Sequence, residues 1–361
     1  MRTISLIIFV ALLSGAFYAP VANACVICVP YPKTTLADVL NERKSVILAR
    51  EKIGKPYLFY AVVVLKGAID GNDFKAFINS ADRRMLSKNL KDVAVFGKKD
   101  SGDDWRYIAY ADREYQAFVR EIILQADSWQ KFNGNLRRID FFAERLTNSN
   151  LRIRDQAYLE VGRAPYSSIK RIAGSIPRRQ IRELLANWRL VEWHSLYILM
   201  LGQSRHPDDH AYIRNQLENY AQHQMTLNLS AWVAAFIESQ PDSGVEEIEK
   251  LYFSTRDRTQ DELEEVLKGF SVLGSEGGIS FKPEIVDRRH RIVKSYATLL
   301  DNYPIMAGLV AKDLTNWKTR ALVPQLSRIK NGEPILDPSS LFAVDYYLSM
   351  ASKFPAIKGI H

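Results

Sequence analysis

Cys25 and Cys28 are the only two cysteines of the chain, and Cys25-Val26-Ile27-Cys28 is its most distinctive chemical feature. Thiols at i and i+3 close a tight disulfide ring, act as a redox pair, or hold a soft metal such as Cu(I) or zinc. The sequence leaves all three open. No His follows Cys28, which excludes covalent haem attachment. A second constellation, His206-Pro207-Asp208-Asp209-His210, would hold zinc if both rings shared a helical face. Pro207 followed by two acids points instead to a polar helix start. No metal and no cofactor is expected.

A basic stretch follows the same logic. Arg154, Arg163, Lys170, Arg171, Arg178 and Arg179, interleaved with Tyr166, would bind phosphate or an anionic glycan through Arg forks if they lined one groove. The other reading is a set of solvated helix faces. Arg288-Arg289-His290-Arg291 carries the same ambiguity. Trp188, Trp193 and Tyr197 are expected in the core. Glu192 and Glu238 are the carboxylates to test as acid or base, yet neither has a second carboxylate at a useful spacing. Ser-His-Asp ordering, a Gly-x-Ser-x-Gly elbow, a P-loop and His-Glu-x-x-His are all missing from the sequence. That favours a non-enzymatic protein.

The elements that must position these groups fall into two periods. Residues 45–50, 57–65, 74–79, 93–96 and 104–110 are short β-branched or alternating runs separated by Gly, Asn and Asp turns, which predicts five strands. Tyr115, Phe118, Val119, Ile122 and Ile123 then recur at helical spacing. Five strands in so short a span suit a small closed barrel capped by that helix. Beyond about residue 132 the period becomes 3.6, with helices expected over 137–146, 150–161, 180–188, 192–201, 209–220, 229–239, 246–252, 261–273, 286–300, 309–329 and 341–352. Helix ends near Gly162, Gly202, Ser239 and Gly274 are spaced 40, 37 and 35 residues apart. Two helices per unit at that period predict a stacked α-solenoid, with an irregular helical bundle as the other reading and the glycines as left-handed residues after helix ends.

The expected organisation is α+β and multidomain. Residues 1–24 read as an export signal: Arg2, an apolar run over 4–17, and Ala22-Asn23-Ala24 at the cleavage position. Cys25 directly after it also admits a lipid anchor. Residues 25–132 form the β domain and 133–361 the helical domain. Composition is that of a globular protein, 47% hydrophobic and 25% charged, with a net charge of +8. In a periplasmic or secreted protein that charge favours acidic partners other than nucleic acid. No transmembrane segment is expected after the signal.

Residues 150–158 (NLRIRDQAY), with basic Arg154 and small Ala157 after a turn, resemble the second helix of a HEAT repeat. The resemblance covers about residues 135–355 and implies a binding scaffold. The N-terminal region, with Cys25 first, strands at 45–50 and 57–67 (YLFYAVVVLKG) and a late strand at 105–111 (WRYIAYA), is similar to the netrin-like domain of tissue inhibitors of metalloproteinases. That family is built on an OB-type barrel. Its Cys-x-Cys is Cys25-Val26-Ile27-Cys28 here, and its later disulfide partners are absent. The whole chain also resembles a group of exported bacterial proteins. The leading expectation is a scaffold whose helical array engages a protein or anionic partner. Thiol or metal chemistry at Cys25 and Cys28 is the alternative, and protease inhibition is implied by the fold resemblance alone.

Overall fold

The computed structural model describes Ile27 and residues 34–69, 71, 73–100, 104–131, 133–276, 283–332 and 334–354. The export segment, Cys25 and Cys28 lie outside the described residues. Helix α1 (Leu36–Glu42) is closed at its start by a reciprocal capping box between Thr35 and Asp38. Strands β1 (Ser45–Glu51), β2 (Leu58–Lys66), β3 (Asp73–Lys75), β4 (Val93–Lys98) and β5 (Arg106–Ala111) follow. They form one sheet in the order β3-β2-β1-β4-β5, every neighbouring pair antiparallel.

The five expected strands are present, but the expected barrel is not: the sheet is open, with β3 and β5 as its two edges. The reason lies in the central strands. Nearly all of β1 and β4 is buried, as continuous β-branched runs are when both faces of a sheet are covered. Val46, Leu48, Val93 and Val95 join the main core with Leu40 of α1 and with Phe118 and Ile122 of α3 (Arg113–Trp129). Ile47, Ala49, Phe59, Ala94 and Phe96 form a second, smaller core on the opposite face, packed by Phe74, Trp105 and Tyr107. Separate elements cover each face, so the sheet need not curl onto itself. The third strand is also shorter than expected. Asn79 accepts a hydrogen bond from the Asp82 backbone N–H and starts α2 (Ser80–Lys88).

The rest of the chain is helical: α4 (Gly134–Ala143), α5 (Leu151–Gly162), α6 (Tyr166–Ile172), α7 (Arg178–Ala186), α8 (His194–Leu201), α9 (Pro207–Gln222), α10 (Leu229–Ser239) and α11 (Gly244–Ile248). Then come α12 (Gln260–Ser275), α13 (Pro283–Asn302), α14 (Ala307–Asn316), α15 (Val323–Lys330) and α16 (Pro338–Ala351). The single helix expected over 309–329 is two, because Lys318 and Leu322 adopt left-handed backbone angles and Pro324 opens α15. From α4 to α16 each even-numbered helix packs on the next even-numbered one, and each odd-numbered helix lies against an even neighbour. The main core runs unbroken from the sheet through to Phe354.

The recurrent glycines have a different cause from the one expected. Among the described glycines only Gly54, Gly67 and Gly71 have positive φ. Gly202 instead lets α8 and α10 touch: a Cβ there would lie 2.7 Å from the Ala235 Cα. At Gly274 the added atom would lie 2.2 Å from the Trp317 ring. Gly202→Ala is therefore expected to lower the unfolding free energy by about 1–3 kcal/mol, as overpacking does. Gly174→Ala, with nothing within 4 Å of the new Cβ, stays within about 0.5 kcal/mol of the natural chain. Urea unfolding midpoints of the two variants check this.

Candidate functional site

The basic residues singled out in the sequence do not line one groove; most are distributed among separate carboxylates. Arg163 belongs to a cluster that joins the sheet region to the helices. In it Arg138 donates from Nε to Glu160 (3.0 Å) and from Nη2 to both Glu160 (2.6 Å) and Asp38 (2.7 Å). Arg163 donates to both oxygens of Asp38, at 2.5 and 3.0 Å, and to Glu160 at 3.1 Å. Thr35 donates its hydroxyl to Glu160, and Gln156 accepts the Leu36 N–H at 3.1 Å. Two guanidinium groups thus meet two carboxylates, and Glu160 is only 4% exposed. Burial would push the Asp38 carboxyl up; the hydrogen bonds from Arg163 and Arg138 outweigh it and hold it well below the usual carboxylate range.

Lys170 joins a second cluster. Its ammonium lies 3.1 Å from Glu238 of α10 and 3.1 Å from Glu276 just past α12. Arg288 of α13 reaches the same two carboxylates at 2.9 and 3.0 Å. Glu238 therefore does have a second carboxylate near it, 38 positions further on, which no local spacing could reveal. Both acids are shared by two cations, so the quartet joins α6, α10, α12 and α13.

Arg171 pairs with Asp140 at 2.6 Å, and Arg179 pairs with Glu183 at 3.1 Å on an exposed helix turn. Arg178 and Arg182 converge on the fully buried Asp209, at 3.2 and 2.9 Å. Lys170 and Arg178 share one cleft of about 370 Å³ between α6, α7 and the end of α8. Arg163, Arg171 and Arg179 do not line it. Arg154 is half-buried on α5 and makes no side-chain hydrogen bond or ion pair among the described residues. In the second basic run Arg289 donates to the Gly274 carbonyl at 2.7 Å, and Arg291 reaches Glu246 and the Pro241 and Asp242 carbonyls.

His206 is the N-cap of α9, its Nδ1 accepting the Asp208 N–H at 3.2 Å. His210 Nε2 lies 2.7 Å from the Ser204 carbonyl. Among the described residues no three His, Cys, Asp or Glu side chains come together as a metal site would require. Trp193 packs on Tyr158 at 3.7 Å between ring centres, and Tyr197 is buried beside it. Trp188 departs from the expectation and is solvent-exposed.

Two features escaped the sequence reading. One is a buried acid: Asp313 of α14 accepts from Ser271 of α12 and Tyr296 of α13, each at 2.6 Å. The other is the outer half of β2. β3 pairs with β2 only at Leu58, Phe59 and Tyr60, so residues 61–66 are paired with β1 on one side and, among the described residues, with no strand on the other. Val62 and Val64 are exposed there. With Tyr60, Ala61 and Ile69 they line a cleft of about 510 Å³ beside that free edge.

No family model, no curated protein and no solved structure matches this chain.

Proposed function

We propose that the chain is a binding protein rather than an enzyme, and that it takes an extended segment of a partner protein as an added strand on β2. The free edge at residues 61–66 carries this reading. An unpaired row of N–H and C=O groups is a template for another strand, and strand addition takes affinity from the main chain and specificity from alternate side chains. Val62 and Val64 supply the alternate contacts. Residues 61–65 (AVVVL) carry no charge, so the fitting segment is apolar and β-branched rather than acidic. The helices α4 to α16, read as a HEAT-like array, give the sheet a rigid frame. Neighbour-on-neighbour packing of the even-numbered helices supports that reading.

The test is selection from a displayed random-peptide library on the full chain. Enriched peptides are expected to alternate β-branched or aromatic residues, and to bind Val62→Lys/Val64→Lys about tenfold or more weaker, a loss of roughly 1.4 kcal/mol. Equal binding to both forms overturns the reading. So does a natural chain that is dimeric by light scattering and becomes monomeric in the variant, because the edge then serves a second copy.

A further inference from the structure

At the other end of β2 the molecule presents a surface of different chemistry. β1 and β3 end there, while β2 and β4 begin. The connections at that end hold Ile53, 93% exposed, and Phe77, 84% exposed, the two most exposed large hydrophobic residues described. Leu90, in the connection from α2 to β4, is 71% exposed. α2 buries none of its residues. Exposed apolar groups carry meaning where they form a contiguous patch, which marks a protein or membrane contact.

The three tips are continuous. Ile53 and Leu90 line one cleft of about 320 Å³, whose charged lining is Arg50, Lys52, Lys55 and Arg83 with the acids Glu51 and Asp92. Arg83 lies over the Tyr57 ring at 4.7 Å, and Tyr57 meets Phe77 at 5.3 Å between ring centres. Tyr57 has φ 61, a left-handed angle that costs an aromatic residue energy and tends to mark functional turns. Its N–H is held by Glu51 at 2.6 Å.

The charges at this end are unevenly satisfied. Glu51 is engaged by Arg83, Asp92 by Tyr110 and Asn89, and Asp73 by Lys52. Arg50 and Lys55 have no ion pair among the described residues, and the Arg50 Nε is shielded from solvent without a partner. Arg84, Lys88 and Lys91 add further cations along α2 and the turn after it.

We propose that this end of the sheet seats on an anionic phospholipid bilayer. Ile53, Phe77 and Leu90 enter the boundary between headgroups and acyl chains, and Arg50 with Lys55 receives a lipid phosphate in the cleft. Apolar tips surrounded by cations on long flexible stems are the arrangement by which proteins lie on such a surface. Charge complementarity selects the occupant. The apolar tips project outward from separate connections, a shape that suits a deformable layer better than a rigid protein face.

Co-sedimentation of the full chain with phosphatidylcholine vesicles, with and without phosphatidylglycerol, tests this. Binding is expected to be about tenfold or more tighter with phosphatidylglycerol and to fall as salt is raised. Ile53→Asp/Phe77→Asp is expected to lose about tenfold or more of that binding with its unfolding midpoint unchanged, because both side chains are in solvent. Lys55→Glu is expected to lose severalfold. No preference for anionic vesicles, or full binding by the double variant, overturns the proposal. So does binding of inorganic phosphate at Arg50 without vesicle binding. Val62→Lys/Val64→Lys should retain vesicle binding, which separates this surface from the strand-addition edge.

Discussion

Arg138→Met is expected to lower the unfolding free energy by about 1.5–3 kcal/mol, the worth of hydrogen bonds to a charged group, since the buried Glu160 keeps Arg163 and Thr35 as partners. Among the described residues, Arg138 alone donates to Glu160 from two nitrogens while also bonding Asp38. Arg163 and Thr35 remain, but neither replaces the guanidinium fork. Adding Glu160→Gln removes the buried charge, so the double variant should be no less stable than Arg138→Met alone. If the two losses simply add in urea unfolding at neutral pH, the residues act independently and the account fails. The acid limb gives a second check. Asp38 titrates below its unfolded value of 3.8, so its contribution is fully present above that value. It is lost as pH falls through the folded value, and Arg138→Met should make the chain's stability less dependent on pH in that range.

Asp313 works in the opposite sense. Burial pushes its carboxyl up to about 6, only partly countered by hydrogen bonds from Ser271 and Tyr296. The folded state therefore holds the proton more tightly than the unfolded chain, whose value is 3.8. Stability falls as pH rises from about 4 to about 6 and then levels off, by roughly 3 kcal/mol. Asp313→Asn keeps an acceptor for one hydroxyl and has no proton to lose. Its unfolding free energy, measured across that window, should lack this fall. A variant that follows the natural curve in parallel would show that Asp313 does not titrate there.

Much of the sheet was legible because its strands are short apolar runs between turn residues, and runs such as VILA in β1 and VAVF in β4 stay apolar when both faces are covered. Closure into a barrel was not legible. The same runs serve an open sheet with helices α1 and α3 on one side and an aromatic layer on the other. α2 escaped because it is short and polar, with Met85 and Leu86 as its large apolar residues and none of its residues fully buried, although Asn79 and Asp82 spell a helix start. The glycines were visible but their cause was not, since close approach depends on Ala235 and Trp317, far along the chain. The charged clusters were unreadable for a similar reason. Arg163 and Asp38 each look like solvated surface residues until the fold brings α1 and α5 together. The free edge of β2 reads identically whether or not another strand covers it.

The distance in sequence across the Asp38 cluster also orders events during synthesis. Asp38 leaves the ribosome 125 positions before Arg163 and about a hundred before Arg138. Until both guanidinium groups have emerged, α1 has no counter-ions to lock it, and Leu40 and Val46 lack the helical part of their core. The strand pairs can form during that interval, but they cannot be fastened. The side of residues 61–66 turned away from β1 meets no strand among the described residues, so the edge suited to a partner in the finished protein is also the place where a nascent chain most needs shielding from its neighbours.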